Sequence, residues 1–457
     1  MSKICNKWNF SEIMLCMLTI ESVCGIIHMV VKMDSIKDMF NISDEVIKKS
    51  KNIEDELKSV YEEIEDISLY NQAKVLKAFK DNHVSGMHMN KTTGYGYNDV
   101  GREVIEKIYA DVFHTEDSLV RVQFVNGTHT ISTVLKALLM PGDNLLAISG
   151  RPYDTLCEVI GIVENKLSLI SYGVKYNEIA LKDDGNFDIE SIENYLKSNK
   201  VKVIHIQRSK GYALRKSLCI EDIKDVIEHI RKIDKHVIIM VDNCYGEFVE
   251  KLEPTDVGAD VVCGSLIKNP GGGLCETGGY IAGRRDVIEL CAETLTCPGI
   301  GKECGATMDQ NRSILQGVFV APAVVKNAVL SSVFASALLK DLGYTVYPDP
   351  YDKRTDIVQA IKFGNKDKLI KFIQEIQKQS PIDSHVTPEP WDMPGYDDPV
   401  IMAAGTFIDG ASIELSADSP IREPYAAYMQ GGLTFESAKL AILSAVSKIT
   451  GDDESWK

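Results

Sequence analysis

Two short apolar runs end in residues of opposite charge, and this pair constrains the chain more than any other feature. Ile239-Met-Val-Asp242 closes on an acid, and Val261-Val-Cys-Gly-Ser265-Leu-Ile-Lys268 closes on a base followed by Asn-Pro-Gly-Gly-Gly. Runs of this length without polar alternation fit strands buried on both faces, the situation of a parallel sheet covered by helices. Leu119–Val125, Asn144–Ile148, Leu167–Ser171, Val201–Ile206, Val237–Val241 and Val261–Gly264 all read this way, with helical segments such as Ile220–Ile233 between them. The alternation predicts an α/β fold with a mostly parallel sheet.

Beyond Val320-Ala-Pro322 the pattern changes. A long helical stretch to Leu342 leads to Ile357–Ile361, a helix near Lys366–Lys378 and a last helix from Phe435 to Ile449, while Pro388, Pro390, Pro394 and Pro399 mark a long loop. We expect a large domain over residues 91–320 and a small C-terminal α/β domain over 321–457. Upstream, Val46, Ile47, Ile53, Leu57, Val60, Ile64 and Ile67 recur at helical spacing among Lys and Glu, with Ser43 and Asp44 as capping candidates. Residues 33–90 are therefore expected to form a helical arm. Ile13 to Val31 is largely apolar after Lys3 and Lys7, but Glu21 and His28 interrupt it and no small-residue cleavage site follows. Residues 1–32 are read as an extension, neither a signal peptide nor a span, with Met33 as an alternative start.

Composition narrows the class of partner. A net charge of −16 on 457 residues, with no basic stripe, argues against nucleic acid. The eleven cysteines show no Cys-x-x-Cys and no Cys/His grouping at zinc spacing, so no metal site is expected and the thiols fit a cytoplasmic protein. A small-molecule substrate is the expected partner, with no membrane role.

Asp242 and Lys268 then acquire a chemical reading. Enzymes that use pyridoxal 5′-phosphate need an amine to hold the cofactor covalently and a carboxylate to keep its ring nitrogen protonated. Lys268 and Asp242 offer that pair, and Lys268 would afterwards move protons as general base and acid. Such a lysine is expected to be less basic than a free ammonium, a change assigned to the cofactor's charges. Asn126-Gly127-Thr128-His129 lies between an expected strand and a helix running to Met140, where free amides favour a dianion, and Ser265 offers a further hydroxyl. Each feature has a plainer counterpart. An acid at a strand end, a lysine among glycines and a Gly-Thr helix cap all occur without any cofactor.

In combination these motifs resemble the fold-type I pyridoxal-phosphate enzymes, and among them the methionine gamma-lyase-like, or aluminium-resistance, family. The resemblance runs from about Asp81 onward. It is carried by Gly94-Tyr-Gly-Tyr-Asn-Asp-Val-Gly-Arg102, Phe124-Val-Asn-Gly-Thr-His129, Gly150-Arg-Pro-Tyr-Asp-Thr155, the Asp242 and Lys268 segments, Pro420-Ile-Arg-Glu-Pro-Tyr425 and Gln430-Gly-Gly. It implies a carbon–sulfur lyase acting by β- or γ-elimination on a sulfur-containing amino acid. It also implies that Tyr153 stacks on the cofactor ring and takes part in proton transfer. Tyr95 or Tyr97, with Arg102, would reach the phosphate of a neighbouring subunit in a homodimer or homotetramer with shared sites.

Arg422, with Arg354 as competitor, would bind the substrate carboxylate. Asn243 and Tyr245 follow Asp242 in the family's order, and packing is an equal account of Tyr245. Two positions depart from the methionine gamma-lyase pattern, Asp154 in place of a cysteine and Ile267 in place of a threonine. Methionine as substrate therefore does not follow. The alternatives are another reaction on the same fold, such as γ-replacement or aldol cleavage, and a non-catalytic metal-sequestering protein. The latter lacks a hard-cation motif. A dinucleotide-binding fold lacks its early glycine fingerprint.

Overall fold

The computed structural model describes residues 36–95, 99–393 and 398–451; the expected extension at 1–32 and Tyr97 lie outside them. A seven-stranded sheet is built from β1 (Asp117–Arg121), β2 (Asn144–Ala147), β3 (Lys175–Glu178), β4 (Val203–Gln207), β5 (Ile238–Asp242), β6 (Val261–Ser265) and β7 (Gly279–Gly283). Its spatial order is β1-β7-β6-β5-β4-β2-β3, and β7 alone runs against its neighbours. The central strands β2, β4, β5 and β6 are buried along their whole length, which accounts for their uninterrupted apolar character.

One expected strand is not a strand. Leu167–Ser171 forms a turn, with Leu167 exposed, because Asn165, Ser168 and Ser171 bond their side chains to nearby main chain: Leu167 N donates to Asn165 Oδ1 at 2.9 Å and Ser171 Oγ to Ser168 O at 2.7 Å. The edge position passes to β3, whose sequence Lys-Tyr-Asn-Glu carries no apolar run to betray it. The expected strand over Leu119–Val125 stops at Arg121, since residues 122–125 turn away toward the helix Gly127–Leu138.

A second sheet of β8 (Thr345–Tyr347), β9 (Val358–Lys362), β10 (Val400–Ala403), β11 (Ser416–Pro420) and β12 (Ala426–Gln430) is antiparallel throughout, in the order β10-β11-β12-β9-β8. Helices Lys366–Lys378 and Phe435–Gly451 pack together beside it. The expected single helical run from Ser43 divides into Asp44–Glu56 and Lys58–Asp81 at the fully buried Leu57, and Ser43 caps the first by accepting from Val46 N.

Between the sheets runs the 31-residue helix Asn311–Asp341, unbroken through residue 320 and carrying Pro322 in its interior. It is long and apolar enough to cross a membrane, yet 72% of its most apolar window is buried in the fold. Proline removes a helical donor and loosens the turn around it. The arm answers nearby, where Ser68 Oγ donates to Pro322 O at 3.1 Å and Gln72 Nε2 to Phe319 O at 3.0 Å.

Candidate functional site

Four elements of the large sheet converge at the carboxyl ends of β4, β5 and β6. The helix Gly127–Leu138 begins there, capped by Asn126, whose side chain accepts from His129 N at 2.8 Å. Its first turn has no intrahelical acceptors for its amides, so the Gly127 and Thr128 N–H groups form a natural anion seat. A Cβ at Gly127 would lie 3.3 Å from the Ser265 Cβ, tighter than most such contacts, and 3.7 Å from the Cys244 sulfur, in ordinary contact. Glycine thus lets the helix start close against the end of β6. Thr128 also receives the Tyr153 phenol, Oη to Oγ1 at 2.9 Å, and shares a 3.1 Å contact with Thr155.

Asp242 ends β5 and is 3% exposed, its Oδ1 accepting from Cys244 N at 3.1 Å. Lys268 follows the neighbouring strand β6. Its Nζ stands 4.0 Å from the centre of the Tyr245 ring, a cation–π contact that Tyr245 makes from a left-handed backbone with φ 72°. Burial disfavours the charge on Lys268, but the Tyr245 ring and the Asp242 carboxylate favour it, and the net direction for the amine is upward from the usual lysine range. The residues of the chain alone therefore push opposite to the expected lowering. Burial, reinforced by Asp242, raises the Tyr153 phenol, so it stays protonated as the donor to Thr128.

A buried polar network fixes the loop after Asp242. Arg208, completely enclosed, donates to Asn243 Oδ1 at 2.8 Å, Gly246 O at 2.9 Å and Glu250 Oε2 at 2.7 Å, while Asn243 Nδ2 donates to Glu253 Oε2 at 2.9 Å. Asn243 is thereby committed to the scaffold, and Tyr245 is carried to the lysine.

Sequence reasoning missed several neighbours. Gln207, ladder partner of Asp242, accepts the Tyr153 N–H at 2.9 Å, and Cys244 lies against Gly127. His205 is 0% exposed with both ring nitrogens unpartnered; burial lowers its pKa against the pull of Asp242. The available signal was the polar interruption His205-Ile-Gln207-Arg208 in a strand that should read as continuously apolar.

Glu247 accepts from Tyr280 Oη at 2.8 Å, and burial, with a contribution from Glu253, pushes its carboxyl up to about 8. A carboxyl raised on folding favours the native state while protonated, and that advantage is lost as pH climbs from the ordinary carboxyl range through about 8. Glu247→Gln keeps the neutral form. Urea titrations should therefore show the variant gaining on the wild type between pH 5 and 8, by up to about 1.4 kcal/mol per pH unit. Parallel stability curves would place the wild-type carboxyl outside this account.

The remaining expected residues stand apart. Tyr95 is 90% exposed and bridges Cys304 through its backbone. Arg102 is turned inward, donating to Glu303 O at 3.0 Å and to Gly94 O and Gly305 O at 3.4 Å each, so it braces the bridge within its own chain. Gly94 is needed in that bridge, since a Cβ would fall 1.8 Å from Gly305 O. Arg422 is exposed and donates to Asp398 at 3.0 Å. Arg354 is buried and donates to Gln359 Oε1 at 2.6 Å, with its Nε unpartnered.

The group these residues fit is an aldehyde cofactor carrying a phosphate and a basic ring. The anion seat at Gly127, the enclosed carboxylate of Asp242 and the amine of Lys268 supply one partner for each of its functions. Comparison with known proteins agrees. A methionine gamma-lyase family model matches residues 46–450, reaching back into the first arm helix. YnbB, an uncharacterized protein of Bacillus subtilis (strain 168), is 50% identical over 408 residues, or 89% of this chain and 97% of its own. A candidate cystathionine beta-lyase involved in aluminium resistance from Clostridium acetobutylicum is 49% identical, with TM-score 0.88 over 92% of this chain and 99% of that one. A carbon-sulfur lyase involved in aluminium resistance from Clostridium novyi NT is 48% identical, with TM-score 0.88 over 91% and 98%. Likeness in fold alone extends to a cystathionine gamma-synthase from Xanthomonas oryzae pv. oryzae, 15% identical with TM-score 0.54 over 77% and 86%.

Proposed function

Because the chain belongs to the methionine gamma-lyase family, we propose that it is a pyridoxal 5′-phosphate-dependent carbon–sulfur lyase, eliminating a β- or γ-substituent from a sulfur-containing amino acid. The observation that carries this reading is the Lys268 amine, 4.0 Å from the Tyr245 ring and beside the strand that ends in Asp242. When bound, the cofactor supplies an electron sink for charge developing at the substrate's α-carbon.

The chain's own residues then divide the work. Lys268 would hold the cofactor covalently and, once released, take the proton from the α-carbon. Asp242 would keep the ring nitrogen protonated. The Gly127 and Thr128 amides and the Ser265 hydroxyl would hold the phosphate, and Tyr153, already tied to Thr128, would cover the ring. Arg422 would take the substrate carboxylate by exchanging it for Asp398. A half-exposed ion pair contributes only about 0–1 kcal/mol, so the exchange costs little. Asp154 and Ile267, where methionine gamma-lyases usually carry cysteine and threonine, leave the leaving group open.

The test is a product screen. Protein saturated with pyridoxal phosphate is incubated with cysteine, cystathionine, homocysteine and methionine, and thiol, ammonia and keto acid are measured. Release of all three from at least one substrate is expected. Holoprotein that releases none of them would refute the reading.

A further inference from the structure

Phe248 and Val249, in the loop that carries Tyr245 to the lysine, form part of the wall of a cavity of about 190 Å³. The arm helix Lys58–Asp81, the helix Asn311–Asp341 and the segment before β9 supply the rest, and none of Gly127, Tyr153, Asp242 and Lys268 lines it. The cavity is therefore separate from the cofactor seat. Val60, Ile64, Val325 and Val329 join Phe248 in an apolar floor. A cavity of about 150 Å³ already holds a benzene ring, so an aliphatic side chain of leucine's size fits here.

Most of the charged residues around this cavity are already engaged. Lys353 pairs with Glu250 at 2.6 Å, Asp352 accepts from Asp349 N at 2.9 Å, and Arg354 donates to Gln359. Glu63 on the arm helix and Lys326 on the long helix are left, and among the described residues neither side chain has a hydrogen bond or an ion pair. The bonds from Ser68 to Pro322 and from Gln72 to Phe319 set the two helices antiparallel, which brings Glu63 level with Lys326. One acid and one base, unpaired over an apolar floor, complement a zwitterion that carries an apolar side chain.

The floor is also joined to the lysine's surroundings. Phe248 holds a left-handed backbone with φ 63°, and Asn71 of the arm donates to Phe248 O and Glu250 O at 3.0 Å each. A ligand resting on Phe248 restrains the loop from Asn243 to Glu250, and with it the Tyr245 ring beneath the Lys268 amine.

We propose that this cavity binds a free aliphatic α-amino acid of leucine's size without reacting with it, and that occupancy steadies the loop carrying Tyr245. Lys326 takes the carboxylate, Glu63 the ammonium, and the apolar floor the side chain.

The test uses holoenzyme reduced with borohydride, in which the cofactor is fixed to the protein and no amino acid can be exchanged onto it. Calorimetry compares leucine with isocaproate, which lacks the ammonium, isoamylamine, which lacks the carboxylate, and glycine, which lacks the side chain. Leucine is expected to bind at least about tenfold tighter than each, the scale of one charge-assisted hydrogen bond. Lys326→Gln should weaken leucine and isocaproate and leave isoamylamine unchanged, while Glu63→Gln should weaken leucine and isoamylamine and leave isocaproate unchanged. Glu63 is exposed and Lys326 half-buried, so both variants should fold. Bound leucine should also slow hydrogen exchange at the amides from Gly246 to Val249. No leucine binding at millimolar concentration, equal affinity for all four probes, or leucine affinity unchanged in both variants overturns the site. Leucine binding that leaves those amides exchanging as before overturns the link to the loop.

Discussion

Lys268→Ala is expected to abolish covalent attachment of pyridoxal phosphate and to lower turnover by on the order of 10⁶-fold, the scale seen when an enzyme loses its reacting group. The fold should survive. Lys268 lies beyond the last ladder residue of β6, so the sheet does not depend on its side chain. Borohydride reduction followed by peptide mapping gives the direct test. A pyridoxyl group found on any other lysine would reject the assignment, whatever the activity of the variant.

The second large effect belongs to Asp242. Asp242→Asn preserves an acceptor for the Cys244 amide and the shape of the strand end, so cofactor should still attach to Lys268. Without the carboxylate the cofactor's ring nitrogen would lose its proton, and the electron sink would weaken. A loss of roughly 10²–10³ in kcat is expected, the scale of removing one preorganised electrostatic partner. Asp242→Ala should lose at least as much. Near-normal rates in both variants, with cofactor occupancy verified by absorbance, would leave Asp242 as no more than a buried strand-end acid.

What the sequence made legible follows from how locally each residue is placed. Asp242, Lys268 and Gly127 sit at boundaries between an apolar run and a turn, and the boundary itself is a signal, so their convergence could be anticipated from one dimension. Gln207, Cys244 and Glu247 take their places through contacts across strands or within loops, and no spacing along the chain reports such contacts. The strand Ser416–Pro420 is hidden for a different reason, since its sequence Ser-Ala-Asp-Ser-Pro carries almost no apolar content. β3 escaped likewise, its polar residues suiting an edge and mimicking a loop. The turn at Leu167–Ser171 misled in the opposite direction, since short side-chain bonds from asparagine and serine overrode its apolar residues.

The helix Asn311–Asp341 ties the molecule together thermodynamically. At 1.5 Å per residue its 31 residues extend about 46 Å, and it packs against the arm helices on one side and against β8, β9 and the last helix on another. Apolar residues of this helix, of the large sheet and of the small one share a single buried cluster, so melting one sheet strips apolar cover from the others. Unfolding is therefore expected to couple the two halves, and a destabilising substitution beneath the small sheet to lower the population of a competent Lys268 site.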